Sequence, residues 1–214
     1  MNIAFNLKLK MASAGLAVAL VSGGCAMMAP KAERYVAPPL GSTWVQARRD
    51  SGSFGSSNVQ VPGRRGERMW QGQKVIAFES PESAILAASD SGNWLGVVSG
   101  DKPLVTWEPG LNWDWPLEVG KTWTHHHRMT IHATKQTLPY QLLTKVEAYE
   151  DVTVPAGTFK AFKISSSNNL GDENVVWFSP ELGIYVKQIN TRTAKNAAGP
   201  GRREIELVSQ TIRK

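Results

Sequence analysis

The chain has 214 residues, a length that suits one domain with a substantial core better than two domains. Hydrophobic residues make up 42% and charged residues 20%, which is typical of a globular protein and excludes an intrinsically disordered one. The formal net charge of +6 comes from basic residues scattered among acids, whereas nucleic-acid binding needs a contiguous basic stripe. We therefore expect no nucleic-acid partner.

The first 24 residues have the pattern of an export signal. Lys8 and Lys10 precede a short apolar run, Met11–Val21, and small residues then lead to Cys25. The apolar run is too short to span a bilayer as a stable helix. We predict a signal peptide over residues 1–24, whose removal takes away two lysines and lowers the formal net charge from +6 to +4.

Cys25 is the only cysteine of the chain and stands where bacterial lipoproteins carry their lipidated cysteine. We predict lipid attachment at Cys25, with palmitate among the acyl groups, because an exported protein would otherwise carry one unpaired thiol. Ala26, not Asp, follows it, which by resemblance to bacterial lipoproteins implies an outer-membrane protein facing the periplasm. The alternative is ordinary cleavage after Ala26 and a soluble periplasmic protein, since Ser22 stands where a lipobox usually has Leu.

Residues 25–41 contain three prolines and no hydrophobic periodicity, which predicts a lipidated cysteine followed by a flexible tether. Residues 42–214 form the predicted single domain. Up to Gly120, short runs of strand formers alternate with turn residues, and the predicted strands are Val59–Val61, Glu67–Trp70, Lys74–Glu79, Trp94–Val98 and Pro103–Trp107. Only Pro81–Ala88 has helical character, and it is so short that we expect mostly β-structure there too.

After Gly120 the strands lengthen and the alternation becomes regular. In Trp123–His132 the odd positions, from Trp123 to Ile131, form one face and the even positions form the other. In Tyr140–Ala148 the predicted buried face carries Tyr140, Leu142, Val146 and Ala148. The intervening Lys135–Pro139 is short enough for a hairpin connection.

A turn at Pro155-Ala156-Gly157 separates the predicted strands Val152–Val154 and Thr158–Ile164, because proline fixes φ and glycine permits a positive φ. Further predicted strands are Val175–Phe178, Ile184–Thr191 and Glu204–Ile212. Many short strands with turns between them predict a mainly β fold with little helix. Its architecture would be a curved antiparallel sheet forming a single-domain barrel or sandwich.

Four sequence blocks resemble a loose group of exported bacterial proteins of unknown function. The blocks are WPLEVGKTW (115–123), YEDVTVPAGTFKAFKI (149–164), WFSPELGIYVK (177–187) and EIELVSQ (204–210). The group shares a VPAGTF turn, a W-[YF]-[SA]-P-x-x-G turn and a closing E-L-x-S strand. The resemblance implies a curved antiparallel sheet in the cell envelope and no established activity.

The histidine cluster is the candidate metal site of the sequence. On a strand, His125 and His127 share one face and His126 and His132 the other, so each face offers two imidazoles. A tight zinc site needs a third or fourth ligand from elsewhere. We predict no metal and no cofactor, and name His125 and His127 as the candidate ligands if a metal is bound. A metal-dependent envelope hydrolase would be the corresponding function.

Trp113 and Trp115 lie in the loop LNWDWPLEVG and leave two interpretations open. They could form a stacking platform for a sugar ring or a peptide, with Trp113 the more exposed. They could also close the end of a sheet core, and we favour this interpretation, which the match of Trp115 and Trp123 to the resembling group supports.

No catalytic motif stands out. The sequence lacks G-x-S-x-G and lacks a glycine-rich phosphate loop that opens a helix. We therefore expect a non-enzymatic envelope lipoprotein, with no catalytic residues, acting as a binding or structural module. Its expected partners are the outer membrane, through the lipid anchor, and a glycan, a lipid or an envelope protein. A carrier for peptidoglycan, another glycan or a lipid remains the alternative, since a curved sheet can hold an apolar ligand.

Overall fold

The computed structural model describes residues 30–111 and 113–212, which contain no helix. The predicted signal peptide and Cys25 lie outside these residues. The strands are β1 (Lys31–Ala32), β2 (Thr43–Gly52), β3 (Ser57–Trp70), β4 (Gln73–Glu79), β5 (Ala84–Ala87), β6 (Trp94–Ser99), β7 (Lys102–Leu111), β8 (Leu117–Glu118), β9 (Thr122–Ile131), β10 (Gln136–Val154), β11 (Gly157–Asn168), β12 (Asp172–Ser179), β13 (Ile184–Arg192) and β14 (Gly201–Thr211). Within the described ranges, no helix has the length and hydrophobicity to cross a bilayer.

The long strands close into one antiparallel barrel. It contains β2 to β7 and β9 to β14, each paired with the next, and β14 pairs with β2 to close the ring. The short β8 lies outside the barrel order and pairs with β1, so β7 pairs directly with β9. The mainly β fold predicted from the sequence is confirmed, and the architecture is the barrel.

Two predicted strands, Val59–Val61 and Glu67–Trp70, belong to the single strand β3. Pro62 does not interrupt β3, because the half that contains it pairs with β2 alone. Pairing with β4 begins only at Arg64, so the missing N–H of the proline faces no neighbouring strand.

Proline is tolerated in β10 for the same reason. Pro139 lies opposite Arg128 of β9, whereas pairing with β11 begins at Leu142. The predicted hairpin between β9 and β10 is confirmed, but its turn occupies residues 132–135 and not Lys135–Pro139. Pro81–Ala88 contains the buried strand β5, as expected from its short length.

The turn predicted in the VPAGTF block is confirmed, with Val154 opposite Gly157 and a φ of 127° at Gly157. The tip of this β10–β11 hairpin packs on the closing strand, where the Ala156 N–H donates to the Leu207 carbonyl at 3.0 Å. A bulge between Val146 and Ala148 shifts the register of β10, so the prediction that these two share a face is wrong.

The described part of the predicted tether lies against the barrel. Lys31 of β1 pairs opposite Glu118, and the buried Tyr35 hydroxyl donates to the Gly183 carbonyl at 3.1 Å. Gly92 lies directly beneath the Tyr35 ring, where a Cβ atom would come within 2.8 Å of the ring. The segment from Lys31 to Pro38 therefore acts as a strap across the barrel.

Candidate functional site

The barrel contains a cavity of about 200 Å³ whose wall is mainly apolar and includes seven aromatic residues. One of these residues is Tyr35 of the strap. We call the part of the cavity formed by the other six the aromatic chamber: Trp44, Phe78, Trp94, Trp113, Phe178 and Tyr185. Trp94 on β6 and Tyr185 on β13 have ring centroids 6.2 Å apart although their strands are not neighbours. Contacts of this kind cross the barrel, so the chamber lies in its interior.

The rings hold one another in place. The Trp113 ring lies 4.9 Å from that of Phe178 and 6.0 Å from that of Tyr185. Elsewhere in the wall, the rings of Trp44 and Phe78 are 6.2 Å apart. Aromatic pairs at these separations add favourable interactions beyond the area they bury. The chamber is therefore a pre-formed apolar space.

A bulge in the β12–β13 pairing brings two of these rings inward. The register shifts between Trp177 and Phe178, so that Phe178 lies opposite Tyr185 and both rings face the chamber. Trp177 and Lys187 lie on the other face, where the ammonium group is 5.7 Å from the indole centroid. Without the bulge, strict alternation would not place Tyr185 and Gln188 in the same cavity.

The chamber has a few polar groups in its wall. The Gln46 side-chain amide donates to the Tyr185 carbonyl at 3.5 Å, and the Gln188 amide donates to Asn190 at 2.8 Å. Burial raises the pKa of the Tyr185 phenol and that of Tyr35, so both stay protonated. Among the described residues of the wall, Glu79 alone carries a formal charge.

The chamber opens to the surface beside β2, β3 and β4. Five residues line both the chamber and a surface depression of about 640 Å³, and we call them the mouth: Trp44, Pro62, Gly63, Glu79 and Ser80. The Trp44 indole lies directly on Gly63, where a Cβ atom would be 2.2 Å from its Nε1. The missing side chain of Gly63 is what gives the indole its place at the mouth.

Two arginines and one carboxylate dominate the charge at the mouth. Arg64 donates to Glu79 at 2.5 Å, and Arg68 donates to the other oxygen of this carboxylate at 3.2 Å. The hydrogen bond from Arg64, aided by Arg68, holds the pKa of Glu79 below its ordinary value although burial opposes this. Glu79 thus stays ionised at neutral pH, and this triad keeps an excess of one positive charge.

The two predicted stacking residues come together, but in the core. Trp113 is only 6% exposed, so the prediction that it is the more exposed residue is wrong. The backbone N–H of Trp113 donates to the Asn93 side chain at 2.7 Å, and the Trp115 indole donates to the Ser91 carbonyl at 2.7 Å. These two bonds turn the loop inward. The rings stack 5.3 Å apart, and Trp113 faces the chamber.

His125 and His127 lie on the inner face of β9, as the alternation predicted, with ring centroids 5.6 Å apart. The His127 Nδ1 atom bonds the Pro109 carbonyl at 2.8 Å, and burial lowers the pKa of its imidazole. His126 is exposed on the other face, and His132 bonds Thr106. Within the described ranges, no group of three or more His, Cys, Asp or Glu side chains could hold a metal ion.

Sequence reasoning missed most of the chamber. Trp44, Phe78, Tyr185 and Gln46 were not singled out, because they are distant in sequence, and Gln46 meets Tyr185 only when β14 pairs with β2. The one available signal was alternation, which places Trp44 and Gln46 on the same face of β2.

No protein-family model and no curated protein matches the sequence. Solved structures are similar to this chain, and three of them are exported proteins or lipoproteins of bacteria. A candidate exported protein with a YmcC-like fold from Bacteroides fragilis is 14% identical with a TM-score of 0.47, over 84% of this chain and 99% of that one. A candidate lipoprotein from Parabacteroides distasonis is 10% identical with a TM-score of 0.43, over 84% of this chain and 99% of that one. The hypothetical lipoprotein YmcC from Escherichia coli is 12% identical with a TM-score of 0.44, over 82% of this chain and 90% of that one. Similarity at this level does not extend to function, and the resemblance of the four sequence blocks stays a prediction.

Proposed function

We propose that this chain is an outer-membrane lipoprotein, facing the periplasm, whose barrel binds the apolar part of a small molecule. The observation that carries the proposal is the aromatic chamber, a pre-formed apolar space with an opening to the surface. Ligand sites are commonly concave and mainly apolar with a few placed polar groups, and this combination is present here. The export signal and Cys25 support the location in the envelope.

The size of the chamber limits what it can hold. An apolar cavity of about 150 Å³ holds one benzene ring. A cavity of about 200 Å³ therefore suits an aromatic ring with a short substituent, or an alkyl chain of roughly six to eight carbons. A complete membrane lipid would extend through the mouth into the surface depression.

The expected affinity depends on chain length. We would titrate the full protein with linear 1-alkanols from butanol to dodecanol and measure binding by calorimetry. Each added methylene should strengthen binding about fourfold, from about 0.8 kcal/mol per buried methylene, until the chamber is full near eight carbons. Absence of binding for every alkanol would overturn the proposal, as would an affinity that rises through dodecanol without a break.

A chamber-filling variant provides the matched test. Ile205 lines the chamber, and Ile205→Phe adds volume there, so octanol binding should fall at least tenfold. Leu143 lies on β10 and is 53% exposed, so Leu143→Phe adds the same ring outside the chamber and should leave binding unchanged. Equal effects of the two variants would argue against the chamber as the binding site.

A further inference from the structure

We propose that the mouth binds an anionic head group, a carboxylate or a phosphate, so that the natural ligand is an amphipathic acid. This inference rests on the proposed function, because it assigns the polar end of the molecule whose apolar end occupies the chamber. Its basis is that the apolar chamber shares the five mouth residues with a depression that carries Arg64 and Arg68.

The charge at the mouth favours an anion. Glu79 is bonded by both arginines, through one carboxylate oxygen each, so its charge is already compensated. One positive charge remains in excess, and the other described residues of the depression are uncharged: Thr43, Trp44, Val45, Pro62, Gly63, Ser80, Pro81, Ser209, Gln210 and Thr211. Aromatic faces attract cations, but a cationic ligand would meet this positive charge at the entrance.

The two arginines are held differently, which suits them to complementary roles. Arg68 is 30% exposed and also donates to the Gly100 carbonyl at 2.7 Å, so its guanidinium is fixed. Arg64 is 64% exposed and is bonded to Glu79 alone among the described residues. Guanidinium groups have a planar set of donors that matches carboxylate and phosphate oxygens. Arg64 can therefore turn to an incoming anion while Arg68 keeps Glu79 in place.

Gly66 provides the space for this arrangement. A Cβ atom on Gly66 would lie 2.9 Å from the Glu79 carboxyl carbon, so the carboxylate lies across β3 at this glycine. The carboxylate therefore stays between the two arginines on the strand. Arg64, Arg68 and Glu79 all line the depression, so the excess positive charge lies there, next to the mouth.

The test compares ligands that share one chain and differ in the head group. Octanoate, octyl phosphate, 1-octanol and octylammonium would be titrated into the full protein at neutral pH and low salt. We expect the acids to bind at least about tenfold more tightly than octanol and octylammonium to bind more weakly, with the preference decreasing as salt screens the charges. Whichever of the two acids binds more tightly identifies the head group as carboxylate or phosphate.

Variants locate the preference at the mouth. Arg64→Gln with Arg68→Gln should reduce the preference for the acids over octanol to less than about twofold. Glu79→Gln removes the competing carboxylate and should increase the preference. Arg128→Gln removes an exposed arginine that pairs with Glu108 on another surface, and serves as the control.

Octanol binding without preference for the acids, or a preference that survives the double variant, would overturn the inference alone. Absence of octanol binding to the wild-type protein would overturn the proposed function as well.

Discussion

The aromatic chamber and the inner face of β9 and β10 both lie inside the barrel but treat polar groups in opposite ways. In the chamber, polar side chains such as Gln46 and Gln188 have partners, and open space remains between the rings. On β9 and β10, four buried polar atoms have no hydrogen-bond partner among the described residues: Trp123 Nε1, His125 Nδ1, His127 Nε2 and Thr144 Oγ1. The histidine cluster was the conspicuous motif of the sequence, yet the chamber has the properties of a ligand site.

The difference has an energetic meaning. An aromatic wall around a cavity favours an apolar guest, because the guest removes apolar surface from water. A buried polar atom without a partner costs about 1–3 kcal/mol of folding free energy. The stability of the chamber should therefore depend on ring packing. On the β9–β10 face, substitutions that remove an unpartnered buried polar atom should stabilise the fold.

The largest effect is expected from Phe178→Ala. Phe178 is only 2% exposed and its ring contacts those of Trp113, Tyr35 and Tyr185. Its removal leaves a larger cavity and should lower the free energy of unfolding by about 3–5 kcal/mol, measured by chemical denaturation. Phe54, whose ring lies 4.0 Å from the Arg192 guanidinium, is the control, and Phe54→Ala should cost much less. Similar losses would show that ring packing around the chamber stabilises the fold no more than the ring of Phe54 does.

Gly63→Ala should have the next largest effect. The backbone of Gly63 has no positive φ, so alanine is acceptable there except for its contact with the Trp44 indole. Displacing the indole should cost about 1–3 kcal/mol and disturb the mouth. The close atoms belong to the five-membered ring of the indole, so the cost should shrink in a Trp44→Phe background. An equal cost in both backgrounds would locate the strain elsewhere.

The sequence predicted the fold better than the site, for a physical reason. Alternation in Trp123–His132 and the turn at Pro155–Gly157 are local signals, and the structure confirms both. The chamber depends on barrel closure and on the bulge beside Phe178, which no local pattern shows. Trp113 was misjudged because Asn93, 20 residues earlier, accepts the hydrogen bond that turns its loop inward.

A smaller effect should appear in the pH dependence of stability. Burial lowers the pKa of His127 in the folded state below its ordinary value of 6.5, whereas unfolding restores it. The unfolded state therefore binds more protons, so stability should fall as the pH drops below about 6.5. The groups near His127 are His125, His126, the Tyr140 ring and the Pro109 carbonyl.

His127→Phe tests this linkage by removing the titrating group. The stability of the wild type relative to the variant should decrease between about pH 7.5 and pH 5.5, because other groups cancel in the difference. His126→Gln, at an exposed position, should show the same pH dependence of stability as the wild type. A flat difference for His127→Phe would mean that His127 titrates alike in both states.

The smallest effect is expected from Thr144→Val. Thr144 is buried opposite Trp123, and its hydroxyl has no partner among the described residues. Valine keeps the shape and removes the unpartnered hydroxyl, so the free energy of unfolding should rise by up to about 1 kcal/mol. Thr130→Val is the control, because that hydroxyl bonds Thr137 at 3.0 Å, and this change should not stabilise the protein. A loss of stability in Thr144→Val would mean that its hydroxyl is hydrogen-bonded in solution, and the two inner faces would then not differ at this position.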